Sequence, residues 1–74
     1  MTSYQSLSPI QPDGIPIFVA WHDLVIGASV FVPAVNLTKL RKQVTKEAER
    51  RGFIVVGWER IESGKLGMRF WRVL

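Results

Sequence analysis

Residues 52–74, GFIVVGWERIESGKLGMRFWRVL, hold two runs rich in β-branched and aromatic residues, separated by Glu62-Ser63-Gly64-Lys65. Such runs flanking a polar, glycine-bearing tetrapeptide predict a β-hairpin. With Ser63-Gly64 as a two-residue loop, Trp58 faces Arg69, Val56 faces Trp71, Ile54 faces Val73, and Gly57 lies opposite Phe70. Strand alternation then sorts the hairpin into two faces. One carries Ile54, Val56, Trp58, Arg60, Arg69, Trp71 and Val73. The other carries Phe53, Val55, Ile61, Leu66, Met68, Phe70 and Leu74, interrupted by Glu59 and Arg72. A three-residue loop would slip the register and exchange the strand partners. The second face is the more apolar and suits a helix, with Gly57 leaving room for Phe70.

Immediately upstream the sequence supplies that helix. Asn36 is a good N-cap, and Gly52 stands where a left-handed residue would end a helix over Leu37–Arg51. Val35 and Leu40 have the spacing of a hydrophobic staple. Leu37, Leu40, Val44 and Ala48 recur at helical spacing and form one apolar stripe. Lys39, Lys42, Lys46 and Arg50 repeat with the same spacing on roughly the opposite side, so the basic stripe points to solvent. Its like-charged i,i+4 pairs cost a few tenths of a kcal/mol each, which a solvated face tolerates and a binding face would exploit.

Further upstream, IPIFVAW predicts an extended segment over 17–21, confined to an edge or strand start by Pro16. A turn follows near His22-Asp23 or Gly27-Ala28, then a strand over 29–32 that Pro33 ends. Residues 1–14 are polar, contain Pro12-Asp13-Gly14, and read as a flexible arm. The expected fold is α+β: a single domain over 15–74, with one amphipathic basic helix packed on a small antiparallel sheet.

Composition bounds the function. Seventy-four residues make one domain near the lower size limit for an unstapled core. The chain has no cysteine and one histidine, so His/Cys metal clusters and Cys-His nucleophile pairs are excluded. No Gly-x-Ser-x-Gly elbow accompanies His22-Asp23, and Gly64-Lys65 lacks the rest of a phosphate-binding loop. The expectation is a non-enzymatic protein with no cofactor and no small-molecule substrate. The N-terminal residues lack a signal-peptide pattern, and no apolar run approaches the roughly 18 residues of a membrane span. That predicts a cytoplasmic protein without a membrane partner. All ten Lys and Arg lie from Lys39 onward against four Glu, a net +6, while residues 1–38 carry only two Asp, a net −2. Such asymmetry suits an acidic partner, either nucleic acid or a protein surface.

The pattern Gly27-x-Ser29-x-x-Val32-Pro33, a basic helix ending at Gly52, Gly64 in the turn, and closing Arg69-x-Trp71-Arg72 resembles a set of short bacteriophage proteins. The resemblance spans about residues 24–73. It implies a phage-type protein that binds bacterial host machinery such as RNA polymerase, a transcription factor, nucleases or nucleic acid, with no single activity common to the group.

Two uses of the hairpin follow. Trp58, Trp71, Arg60 and Arg69 would make a stacking and phosphate platform for DNA or RNA, helped by Lys39, Lys42, Lys46 and Arg50. The same Trp and Arg residues would serve equally as hot spots for a host protein. The structural alternative is that both tryptophans cap the core, with Arg69 stacked on Trp58. Replacing Arg60 and Arg69 together by alanine is expected to abolish binding and leave the domain folded.

Overall fold

The computed structural model describes residues 9–74. A 3-10 turn at Trp21–Asp23 precedes strand β1 (Ser29–Pro33), helix α1 (Leu37–Arg50), strand β2 (Val55–Glu62) and strand β3 (Lys65–Arg72). The three strands form one antiparallel sheet in the order β1-β3-β2. This is the α+β arrangement expected from the sequence, with α1 packed on one face of the sheet.

The hairpin has the two-residue loop. Ser63 and Gly64 both adopt positive φ, 52° and 76°, as a turn matching strand twist requires. Val55 pairs with Arg72, Val56 with Trp71, Gly57 with Phe70 and Trp58 with Arg69. β1 adds to the other side of β3, with Val30 opposite Phe70 and Val32 opposite Met68. Met68 and Phe70 thus lie at the centre of the covered face and are fully buried with Val32, Leu40 and Val44. Gly57 leaves room there: a Cβ on it would come within 2.5 Å of the Phe70 ring.

α1 is capped as its sequence suggests. The Asn36 side chain accepts from the Lys39 amide at 3.1 Å, and Gly52 has φ 78°. The staple, however, does not form, since Val35 is 79% exposed while Leu40 is buried. A distant residue fixes the entry angle instead. The Asp13 carboxylate accepts from the amides of Val35 (2.9 Å) and Asn36 (2.8 Å). These two hydrogen bonds, that to Asn36 first, hold the Asp13 carboxyl below its ordinary pKa.

That contact corrects the expected arm. Residues 1–8 lie outside the described residues, but Pro9–Gly14 belong to the domain. Ile10 is buried and bridges Ile17 through two backbone hydrogen bonds, 3.0 and 2.8 Å. The expected extended segment over 17–21 is a second correction. It makes only this isolated bridge and does not enter the sheet, because Trp21 must turn inward. Trp21 opens the 3-10 turn, is 1% exposed, and packs in the core with Val19 and Leu24. Arg51 lies over its ring at 4.8 Å, and Glu47 accepts hydrogen bonds from both Arg51 (2.7 Å) and Arg50 (3.1 Å). Both candidate turns form, the 3-10 turn and a second turn at Gly27 with φ 89°.

Candidate binding surface on the open face of the sheet

Because α1 covers one face of a three-stranded sheet, the other face is open to solvent. β2 contributes Val56, Trp58, Arg60 and Glu62 to it; β3 contributes Lys65, Gly67, Arg69 and Trp71; β1 contributes Ser29, Phe31 and Pro33. The parity of these positions follows from alternation on either side of Met68 and Phe70, which point into the core. Four of the eight residues expected at the site, Trp58, Arg60, Arg69 and Trp71, therefore share one surface.

Their environments differ. Trp58 is 62% exposed, and Ile54, Val56 and Val73, of the same parity along their strands, are exposed apolar residues too. Trp71 is half-buried. Neither tryptophan faces the core, whose indole is Trp21. Arg69 lies over Phe31, 6.0 Å from the ring centre, rather than stacking on Trp58. Its Nε and Nη2 donate to the Glu62 carboxylate at 2.7 and 2.6 Å, and its Nη1 donates to Ser29 Oγ at 2.8 Å. Arg60 reaches the same carboxylate at 3.4 Å and stays half-exposed. One carboxylate thus serves two guanidinium groups. The hydrogen bond from Arg69 holds Glu62 below its ordinary pKa, against burial, and Glu62 raises Arg69 in return.

Lys39, Lys42, Lys46 and Arg50 are all exposed on α1, but the helix separates them from the open face. A helix with its side chains is about 10–12 Å across, so the basic stripe and the tryptophan face look in opposite directions. Arg50 is also paired with Glu47. The eight expected residues form two surfaces, not one.

Sequence reasoning missed Glu62, Ser29, Phe31 and Gly67. Glu62 shares the parity of Arg60, which signals its face. Ser29 and Phe31 join only through the β1–β3 register, for which a lone short strand carries no local signal. A Cβ on Gly67 would collide with the Val32 carbonyl and the Phe31 ring, so glycine lets β1 approach and Phe31 fold over it.

His22 and Asp23 lie 3.6 Å apart on the 3-10 turn, both well exposed. Among the described residues, no three His, Cys, Asp or Glu side chains gather as a metal site requires, and no helix is long and apolar enough to cross a membrane. The chain has no significant match to any family model, curated protein or solved structure.

Proposed function

We propose that this chain is a non-enzymatic regulator that docks a host protein on the open face of its sheet, in the gene-expression machinery of a bacterial cytoplasm. RNA polymerase or a transcription factor is the partner class, supported by the resemblance of residues 24–73 to short phage proteins. The observation that carries the docking mode is the exposed patch of Trp58, Val56, Ile54 and Val73 beside Arg60. An exposed tryptophan among aliphatic residues, rimmed by an arginine, has the make-up of an interface hot spot. Arg69, by contrast, already spends its charge on Glu62, which weakens the case for a phosphate platform on this face.

Direct binding of DNA or RNA is the second reading, favoured by the solvent-facing Lys39, Lys42 and Lys46. It predicts affinity that falls steeply with salt. Affinity capture from a bacterial lysate tests the first reading, with wild type and Trp58→Ala compared. The expected result is a stoichiometric partner retained by wild type and weakened more than about 30-fold by the substitution. No stoichiometric partner, or equal retention by both, overturns it. Titration with single- and double-stranded DNA and RNA at two salt concentrations tests the second reading.

A further inference from the structure

β2 is an edge strand among the described residues, with β3 on one side and no described strand on the other. Just before it, Ile54 directs both backbone groups at the β3 side, donating to the Leu74 carbonyl (3.1 Å) and accepting from the Val73 amide (2.8 Å). Antiparallel alternation then turns the N–H and C=O of Val55, Gly57, Glu59 and Ile61 away from the sheet. The Gly57 carbonyl follows this rule, accepting from Arg41 Nη1 at 3.4 Å. The edge runs for eight residues without proline, whereas β1, at the opposite edge, has five residues and ends in Pro33. A long edge without proline is a template for another strand, here with one carbonyl, that of Gly57, already met by Arg41.

We propose that β2 pairs with β2 of a second copy of this chain, antiparallel about a two-fold axis, joining two sheets into one of six strands. The outward backbone groups restrict the register, because odd-numbered residues must meet odd-numbered residues. Charge selects among the remaining choices. With Gly57 opposite Glu59 of the second copy, that carboxylate enters beside Arg41, over a position that has no side chain. Symmetry forms the ion pair twice. A groove of ≈ 330 Å³ between α1 and β2, walled by Arg41, Thr45 and Gly57, receives the Glu59 side chain. In the same register Val55 meets Ile61, which is 72% exposed in the single chain. On the open face Trp58 meets Trp58 across the axis. Pairing Gly57 with Gly57 instead would set Glu59 against Val55 and forfeit the contact with Arg41.

Pairing brings Trp58 of the open-face patch to the axis, whereas the ion pairs that select it lie at the edge and the helix-side groove, on residues outside that patch. Reversing charge at Arg41 or Glu59 leaves Val56 and Arg60 in place, and its readout is mass rather than partner capture.

Sedimentation equilibrium across micromolar concentrations is expected to give twice the 8.4 kDa chain mass. Arg41→Glu and Glu59→Arg each weaken association by at least about tenfold, because each places like charges together. The double variant restores the dimer with the signs exchanged. The chain has no cysteine, so Trp58→Cys supplies a cross-link test of the register. A facing non-hydrogen-bonded pair has Cα atoms about 4.5 Å apart, within disulfide reach. Glu59 is exposed, so Glu59→Arg retains the fold, which circular dichroism checks. A single-chain mass at every concentration overturns the proposal, and so does a dimer indifferent to both reversals. A dimer that Trp58→Cys cannot cross-link overturns the register.

Discussion

Arg69 and Glu62 form a two-pronged ion pair along the hairpin, Nε to Oε2 at 2.7 Å and Nη2 to Oε1 at 2.6 Å. Two parallel N–H···O bonds fix a guanidinium in one orientation, and that orientation aims the third nitrogen at Ser29 of β1. One side chain therefore ties the central strand to both its neighbours. Arg69 belongs to the scaffold of the open face, while Trp58 and Arg60 are left to make contacts.

The two arginines consequently respond differently to substitution. Arg60→Ala loses one long, half-exposed ion pair and changes stability by less than about 1 kcal/mol. Arg69→Ala removes three hydrogen bonds and leaves Glu62 facing Arg60 alone, so it lowers the thermal midpoint visibly. Glu62→Gln lowers it as well. The double variant Arg60→Ala/Arg69→Ala thus mixes recognition with stability, whereas Trp58→Ala removes a contact side chain without breaking the hydrogen bonds that tie the strands. Thermal melts of the five variants check this order.

The two strand glycines predict unequal costs. Gly57→Ala drives a methyl group against the Phe70 ring and the Met68 tip. Side chains can partly yield, at about 1–3 kcal/mol for such overpacking. Gly67→Ala meets backbone, the Val32 carbonyl and the Pro33 Cα, which cannot rotate aside. It should cost more and loosen β1 from β3. Urea melts and amide exchange at Val30 and Val32 distinguish the two variants.

The difference between local and long-range information explains what could be read in advance. Once Ser63-Gly64 is the loop, alternation pairs Trp58 with Arg69, but the sequence left a three-residue loop open, and the positive φ of both Ser63 and Gly64 decides between them. The cap at Asn36 and the Leu40–Val44–Ala48 stripe are equally local. The Asp13 contact with Val35 and Asn36 was not, because it joins residues more than twenty positions apart. Trp21 sits in an apolar run that fits a strand and a core turn equally well. The split of the site into two surfaces needed the sheet's one-sided cover, which assigns the lysine stripe and Trp58 to opposite sides. Glu62 was legible by parity, yet its role as shared counter-ion depends on the reach of two arginine side chains.

Ile10 tests where the domain begins. If Pro9–Gly14 were a free arm, truncating Ile10 would leave stability unchanged. In the structure its side chain is 2% exposed within the core, and its backbone bridges Ile17. Ile10→Ala should therefore cost about 2–5 kcal/mol, as large-to-small core substitutions do, whereas Gln11→Ala removes only an exposed side chain. Denaturant midpoints with unchanged slopes would place the loss in the folded state.

Acid should unfold the domain through three carboxylates. Backbone hydrogen bonds from Asn36 and Val35 hold Asp13 below its ordinary pKa. Burial pushes Glu47 upward, but the hydrogen bond from Arg51 and the charges of Arg50 and Arg51 outweigh it and leave it lowered. Glu62 is lowered chiefly by Arg69. In each case the folded value lies below the unfolded one, so the unfolded chain takes the proton first as pH falls. The stabilisation is complete above the ordinary carboxylate values near pH 4 and disappears as pH drops through the folded values. Urea midpoints should hold steady above about pH 5 and decline toward pH 2. Asp13→Asn should start lower at neutral pH, because an amide is a weaker acceptor for the two amides, and converge on wild type at the acid end. A difference between the two proteins that stays constant across the titration would show that the Asp13 charge does not hold the helix entry.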